Sequence, residues 1–403
     1  MKRQSAIVGL DVGTTKICAV IGDMVKGEPE IRGFGISLST GLRKGVVVNI
    51  EATVESIKKA REAAESSTGI EIREAYLGIT GNHIKGFYSS GAVGIRGKEV
   101  TSLDLKRVIE SAKAVYIPLD REILHVIPTE YAIDGQNGVK DPVGMTGVRL
   151  EAKVHILTGA VSPIQNLLRC CEKAHLEVIE IVFEPLASAL ATVTEDEREL
   201  GVALVDIGGG TTDIILYKDG CLNHASVLAV GGNHFTSDVA VGMRVSVSEA
   251  ERLKKSFGCA IASTVKEEEV IGITQAGQER KIPRRYLSEI IQPRAEELLE
   301  LIKGELEICS GYDIASSGVV LTGGGSLLDG FDTLAEAVLG LPVRMGFPEG
   351  LRGSKGTLSN PICATGIGLV LYGLEADLKG EFFTDHVTAV MGRMKNWVTG
   401  IFR

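Results

Sequence analysis

A chain of 403 residues has room for two to four structural units at about 100 to 200 residues each, which excludes a single small core. Its 44% hydrophobic and 24% charged residues are those of an ordinary globular protein, and 43 Lys and Arg against 52 Asp and Glu leave a net charge of -9, which argues against a nucleic-acid-binding surface. Seven cysteines without a C-x-x-C pair fit neither a disulfide framework nor a zinc module, so Cys170 and Cys171 read as core or helix residues in a reducing cytosol. The 49 glycines, about 12% where about 7% is usual, call for many tight turns.

The opening MKRQSAIVGLD carries a basic pair, but Asp11 cuts its apolar run short of a signal-peptide core, and a cytoplasmic protein is expected. Residues 6–12 and 16–22 read as two strands joined by the turn Gly13-Thr14-Thr15. A helix is predicted over 51–67, where Val54, Ile57, Ala60 and Ala64 recur at helical spacing, and YLGIT at 76–80 is a short strand. Residues 84–158 are richer in isolated Gly and Pro, with a helix over 102–115 and strand-like runs at 123–128 and 151–157; they read as an inserted subdomain. Ser162-Pro163 reads as an N-cap with proline at the first helical position, opening a helix to about Lys173. A strand over 177–183 and a helix over 184–193 follow, and the charged link EDERE at 195–199 marks the expected boundary between two lobes.

The opening pattern then returns as a strand over 202–206, a glycine-rich turn and a strand over 213–217. Aligning AIVGLDVG-TTKICAVIG with VALVDIGGGTTDIILYKDG pairs Asp11 with Asp206 and Gly13 with Gly208, so the chain reads as internally duplicated. Beyond it come a helix over 247–256, a polar strand pair within 264–282, a long helix over 287–308, a strand over 318–321, the turn Thr322 to Gly325 and a buried helix over 363–374. The uncharged stretch 356–374 holds Pro, Asn and several glycines, and reads as a loop and a buried helix rather than a bilayer span.

Each Asp-x-Gly-(Gly-Gly)-Thr-Thr hairpin sets a carboxylate at a strand end before consecutive backbone N–H groups that no Cβ blocks. Such a nest binds phosphate, and Asp11 and Asp206 can hold Mg²⁺ through water, because magnesium keeps part of its hydration shell. One such turn is also what an ordinary glycine-rich hairpin looks like; two related turns, one per lobe, make jaws around a triphosphate at a domain interface. A third glycine turn, LTGGGSLLDG at 321–330, follows a strand and opens a helix, allowing close approach to a flat base or an α-phosphate. The sequence shows no Ser-His-Asp or Cys-His pattern.

The DVGTTK and DIGGGTTD loops, FEPLASAL at 183–190, AERLKKSFG at 250–258 and LTGGGS resemble, in order, the nucleotide-binding motifs of the actin, heat-shock chaperone and sugar kinase superfamily. Within it, GGNHFTSDVA at 231–240, IIQPRAEELLELIK at 290–303, the overall length and the C-terminal tail are similar to the FtsA family of bacterial cell-division proteins. The likeness runs over essentially the whole chain. It implies an α/β fold of two actin-like lobes with ATP and Mg²⁺ in the cleft. The first lobe would comprise 1–83 and 159–198, with 363–374 returning to it, and 84–158 would be an FtsA-type subdomain in place of the usual actin insertion. The second-lobe core would comprise 199–230 and 307–362, with an outer subdomain at 231–306.

Carried over position by position, the resemblance makes Asp11, Gly13, Thr14, Thr15 and Lys16 the first phosphate loop, and Asp206, Gly208, Gly209, Gly210, Thr211, Thr212 and Asp213 the second. Gly231 and Gly232 come near the phosphates, Glu251, Lys254 and Lys255 near ribose and adenine, and Gly323, Gly324, Gly325 and Ser326 near the base and α-phosphate. Glu184 takes the position from which related ATPases orient the attacking water; read from the residues alone it is a helix N-terminal carboxylate stabilised by the macrodipole. Glu251 with Lys254 and Lys255 reads equally as a solvated helix face with i,i+3 and i,i+4 ion pairs.

A polar linker is expected over 375–386, and then VTAVMGRMKNWVTGIFR, where Val387, Val390, Met391, Met394, Trp397, Val398, Ile401 and Phe402 form one helical stripe. Arg393, Lys395 and Arg403 are its only charges, and it holds the one tryptophan of the chain. That composition suits a helix lying in a membrane interface; a helix docked on the body would show a similar stripe.

The function implied by the resemblance is a peripheral membrane protein on the cytoplasmic face of the inner membrane at the division septum. It would polymerise head to tail, anchor FtsZ filaments through the acidic C-terminal peptide of FtsZ, and meet anionic lipid and other divisome proteins. It would be at most a slow ATPase, not a metabolic enzyme. Arg294, with Glu297 nearby, is the expected grip on the peptide, a surface i,i+3 ion pair being the plain alternative. Two rival readings stand beside it. A pilus-assembly adaptor similar to PilM shares the fold but generally lacks the tail, and a small-molecule kinase of the same superfamily needs a substrate pocket and a general base between the lobes.

Overall fold

The computed structural model describes residues 6–275, 278–309, 313, 315–349, 351–353 and 356–379. At its start β1 (Ile7–Val12), β2 (Lys16–Val25) and β3 (Glu28–Leu38) form an antiparallel meander. β1 is buried at every position, as a strand covered on both faces requires. A two-residue-per-strand hairpin, β4 (Leu42–Arg43) and β5 (Val46–Val47), leads into α1 (Ile50–Thr68). Asn49 caps α1 by accepting from the Ala52 N–H, and left-handed Gly69 ends it. A Cβ at Gly35 would fall 2.1 Å from the Ala60 carbonyl oxygen, so glycine is what lets α1 lie this close to β3. β6 (Glu74–Ile79) then pairs in parallel with β1.

The chain next builds a separate antiparallel sheet from β7 (Lys85–Gly94), β8 (Arg121–Ile133), β9 (Gln136–Val139) and β10 (Arg149–Ala160), in the order β7-β10-β8-β9. The helix α2 (Ser102–Lys113), opened by a capping box between Thr101 and Asp104, packs Val108 onto Leu150 and Ala152 of this sheet.

The helix α3 (Val161–Lys173) starts two residues before the sequence suggests. The Val161 N–H donates to the Asp120 carbonyl at 2.9 Å, so a preceding loop satisfies the first orphan donor and Ser162 caps nothing. Pro163 still lies in the first turn, where its missing donor costs nothing. β11 (Glu177–Phe183) joins β6 in parallel and completes the sheet order β11-β6-β1-β2-β3. After α4 (Glu184–Thr192), the EDERE segment proves to be no link but the helix α5 (Glu195–Leu200), with a capping box between Thr194 and Glu197. Arg344 grips the same Glu197 carboxylate at 2.6 Å through both Nε and Nη2, which ties the segment down.

The second half repeats the first. β12 (Val202–Ile207), β13 (Thr212–Lys218) and β14 (Cys221–Leu228) form the meander. They are followed by α6 (Gly232–Met243), α7 (Val247–Phe257), the hairpin β15 (Val270–Gln275) and β16 (Gln278–Pro283), and α8 (Arg284–Ile308). β17 (Val319–Thr322) pairs in parallel with β12; after α9 (Phe331–Leu339), β18 (Val343–Met345) pairs in parallel with β17. The order β14-β13-β12-β17-β18 matches the first sheet strand for strand, so the duplication read in two hairpins extends to whole sheets. The helix α10 (Ala364–Lys379) then returns to the first sheet. A Cβ at Gly368 would lie 1.8 Å from the Ala187 carbonyl oxygen, so this helix meets α4 almost backbone to backbone. Among the described residues no helix is long and apolar enough to cross a membrane.

Candidate functional site

The two hairpin turns close in the same way. Gly13 N–H donates to the Lys16 carbonyl at 3.0 Å, and Gly208 N–H to the Thr211 carbonyl at 2.9 Å. The turns face one another across the halves of the molecule: a Cβ at Gly209 would fall 2.3 Å from Thr15 Cγ2, and one at Gly210 2.6 Å from Thr14 Oγ1. Gly232 and Asn233, at the start of α6, donate to the carbonyls of Gly208 and Gly209 at 2.9 and 2.8 Å, and a Cβ at Gly231 would come 2.7 Å from the Gly208 oxygen. Gly231 and Gly232 thus belong to the second loop.

Four carboxylates converge here, and all four are buried: Asp11, Glu184, Asp206 and Asp213. Lys16 Nζ donates to Asp11 Oδ2 at 2.6 Å. Burial works against the Lys16 ammonium, yet the adjoining Asp11 charge outweighs it and the lysine pKa is raised. Asp206 Oδ2 accepts from Ser188 Oγ at 2.6 Å, and Asp213 Oδ1 accepts from Thr80 Oγ1 at 2.5 Å, a bond that joins the end of β6 to β13. Burial, then the charge of Asp206, pushes the Asp213 carboxyl well above its usual range; burial likewise raises Asp206. Glu184, at the first position of α4, is raised well above its usual range by burial, then by Asp11, Asp213 and Asp206, and its Oε1 has no hydrogen-bond partner.

These features fit a nucleoside polyphosphate with a divalent cation. The turn carries N–H groups without Cβ, and a buried carboxylate oxygen is left without a partner. No three His, Cys, Asp or Glu among the described residues converge closely enough to hold an ion directly, so any Mg²⁺ here is held through water or phosphate.

The remaining positions are placed less simply. Lys254 on α7 pairs with Glu251 at 2.7 Å and donates to the Gly232 carbonyl at 3.0 Å and to Thr236 Oγ1 at 2.9 Å, so it fastens α7 behind the second loop. Lys255 reaches the same Glu251 at 3.1 Å, so the i,i+3 and i,i+4 pairs are both formed. Gly323 is left-handed (φ 82°), and a Cβ there would come 2.3 Å from Asp206 Oδ1; one at Gly325 would come 2.4 Å from Ile207 Cγ2. Their smallness therefore serves the approach to β12, while Gly324 meets only Ile362, at 3.6 Å. The turn opens no α-helix: Gly324–Leu327 is a single 3₁₀ turn in which Ser326 Oγ donates to the Gly323 carbonyl at 2.7 Å, and α9 begins only after left-handed Gly330. The helix start expected at this turn thus comes only at Phe331.

Arg294 lies apart from the cleft on α8. Its Nε and Nη2 donate to Asp238 of α6 at 2.6 and 3.2 Å, and it also pairs with Glu297. The tail residues Val390, Met391, Arg393, Met394, Lys395, Trp397, Val398, Ile401, Phe402 and Arg403 lie outside the described residues.

Sequence reasoning missed Thr80 and Ser188, which hold Asp213 and Asp206. Ser188 sits inside the FEPLASAL segment and was within reach of the pattern; Thr80 merely ends a strand 133 positions from its partner.

The family description "Cell division protein FtsA" matches residues 203–368, and "SHS2 domain inserted in FTSA" matches residues 81–158. The chain is 43% identical to the cell division protein FtsA of Pseudomonas aeruginosa over 98% of each sequence. It is 38% identical to that of Escherichia coli K12 over 97% of each. Among solved structures, a PilM-PilN type IV pilus biogenesis complex superposes with a TM-score of 0.66 at 17% identity, covering 92% of this chain and 99% of that one. MreB5 of Spiroplasma citri bound to ADP superposes with a TM-score of 0.55 at 17% identity, covering 94% and 99%. At such identities these likenesses show the shared actin-like fold.

Proposed function

The chain belongs to the FtsA family of cell-division proteins and has their actin-like fold, and from that premise we propose that it binds ATP, polymerises on the cytoplasmic face of the inner membrane and anchors FtsZ filaments there at the division septum. The observation that carries the nucleotide reading is the pair of matching hairpins in contact over four buried carboxylates, one with an unpartnered oxygen. The backbone N–H groups of Gly209 and Gly210 would take phosphate oxygens, and Asp11 and Asp206 would hold Mg²⁺ through water. A bound Mg²⁺ supplies the positive charge that four carboxylates and a polyphosphate together require. Glu184 Oε1 would accept a hydrogen bond from a water beside the phosphates and so orient it.

Replacing Gly209 with Phe tests this reading, because its side chain would enter the contact between the second loop and Thr15 of the first and obstruct the nest. The variant is expected to fold and to bind ATP at least about a hundredfold more weakly in equilibrium titration; unchanged affinity removes the phosphate-loop assignment.

Polymerisation would use a heterologous lobe-to-lobe contact that does not close into a ring. The units proposed are 1–83, 159–198 and 363–374 for one lobe, 84–158 for the inserted subdomain, 199–230 and 307–362 for the other lobe's core, and 231–306 for its outer part. An acidic FtsZ peptide would compete with Asp238 and Glu297 for Arg294, so Arg294→Glu is expected to weaken peptide binding in fluorescence anisotropy. For residues 387–403, burial of the apolar stripe in the interface and three basic groups worth on the order of 1 kcal/mol each at an anionic surface nearly cancel an ordering cost of about 1 to 2 kcal/mol per residue over much of the segment. One copy then binds weakly, and a filament binds by avidity. Trp397→Glu is expected to release the protein from anionic liposomes with ATP binding unchanged; cosedimentation equal to wild type would remove the membrane anchor.

A further inference from the structure

Residues 39–49 pass over the first hairpin as a strap. Ser39 N–H donates to the Thr15 carbonyl at 3.1 Å, and Gly45 N–H donates to Thr14 Oγ1 at 3.1 Å, so the strap is fastened at both hydroxyl-bearing positions of that turn. Its tip is Lys44-Gly45, between β4 and β5. Gly45 is left-handed (φ 75°) and a Cβ there would come 2.6 Å from the Thr80 carbonyl oxygen, so the tip rests on the end of β6. Lys44 is also left-handed (φ 51°), a conformation uncommon for a residue with a Cβ. A Cβ at Gly210 would fall 3.1 Å from Lys44 Cα, which sets the lysine directly against the second loop as well. The strap tip, the first turn, the second turn and the end of β6 therefore meet at one point.

The charges around that point are lopsided. Asp11, Glu184, Asp206 and Asp213 are buried there, and Lys16 is already committed to Asp11 at 2.6 Å. Lys44 is half-buried, and among the described residues no carboxylate lies in ion-pair range of it. Lys254, expected near ribose and adenine, reaches the Gly232 carbonyl at the start of α6, whereas Lys44 lies away from it against Gly210 at the tip of the second turn.

We propose that Lys44, presented by the 39–49 strap, binds the terminal phosphate of a nucleoside triphosphate lying between the two hairpins. The proposal rests on the nucleotide reading and goes beyond it in naming a cation that the loop motifs do not contain and the phosphate it serves. A lysine acts here as a point charge on a flexible stem, so the contribution falls with salt and grows with the charge that the far end of the nucleotide carries. The strap is held to Thr14 and Thr15 by the Gly45 and Ser39 N–H groups, which fixes where Lys44 is presented.

The test is equilibrium titration of the full chain with ATP, ADP and AMP at fixed Mg²⁺, for wild type, Lys44→Asn and Lys44→Arg. Asparagine tolerates the left-handed backbone, so the strap is kept while the charge is lost. Lys44→Asn is expected to weaken ATP about tenfold, ADP by less than about threefold and AMP not at all, with Lys44→Arg restoring most of the ATP affinity. Equal weakening of all three nucleotides, or none, overturns the role of Lys44 while leaving the cleft as a nucleotide site. If wild type takes up none of them, the nucleotide reading fails and the Lys44 role fails with it.

Discussion

The two hairpins share a backbone and differ in what is hung on it. In the first, Asp11 is paired in register with Cys18 and neutralised by Lys16 from its own turn. In the second, the position aligned with Lys16 carries Asp213, paired in register with Asp206, so two carboxylates sit side by side where the other hairpin holds an ion pair. The supports differ as well. The first turn is held by the 39–49 strap, the second by the start of α6. Duplication thus kept the sheet order and the turn closure, while charge and support diverged. The first hairpin can stand by itself electrostatically. The second depends on Thr80 of the other half and on whatever cation the cleft receives.

The largest expected effect follows from removing the cation of the balanced hairpin. Lys16→Met leaves Asp11 buried and unpaired, which costs about 3 kcal/mol of stability by analogy with broken buried pairs. Chemical denaturation without nucleotide measures it. A loss below about 0.5 kcal/mol, the level of an exposed pair, would show that the two hairpins are electrostatically alike after all. Thr80→Val comes next. It removes the donor that spans the two halves and leaves Asp213 Oδ1 short of a partner, for an expected loss of about 1 to 2 kcal/mol. The double variant Thr80→Val with Asp213→Asn should lose less than the sum of the two single changes, because both act on one bond.

The smallest effect sharpens the comparison through pH. Burial and Asp206 raise the folded-state pKa of Asp213 above its ordinary 3.8, so the folded protein holds this proton more tightly than the unfolded chain does. Its stabilising contribution is full below the unfolded value and is lost as pH rises from about 3.8 through the folded value. Asp213→Asn is therefore expected to flatten the decline of the thermal midpoint with rising pH in the absence of nucleotide, and to melt no lower than wild type at neutral pH. A steeper decline in the variant would show that Asp213 is stabilised as an anion.

The strands and helices that were legible in the sequence are those with a strong local signature. The hairpin strands are continuous apolar runs broken by Asp-x-Gly, and α1 has its apolar positions at helical spacing, so both were placed within a few residues. β7 (KGFYSSGAVG) was not legible, because most of its positions are exposed and it carries three glycines; its strand character comes from ten-residue pairing with β10. β3 alternates imperfectly and carries Gly33 and Gly35, which receive α1. EDERE looked like a solvated link because its charges are all that sequence shows; Arg344, some 147 positions later, turns it into an anchored helix. The site followed the same division. The loop residues announced themselves by glycine and carboxylate spacing, whereas Thr80 and the Lys44 strap carry no motif.

By itself the sequence determined the duplicated hairpins, the alignment of Asp11 with Asp206, and the glycine nests, because these depend on side-chain size and spacing within a few residues. The amphipathic stripe of 387–403 is a property of the same kind. Only the tertiary structure decided that the two turns touch, that Lys254 and Glu251 satisfy one another behind the second loop, that Arg294 is held by Asp238, and that Glu184 keeps an unpartnered oxygen among three other carboxylates. Each of these is a matter of distance between segments far apart in the chain. Local propensity is blind to them, and packing of the two sheets sets them by burying β1 and β12 and so aiming both turns at one point.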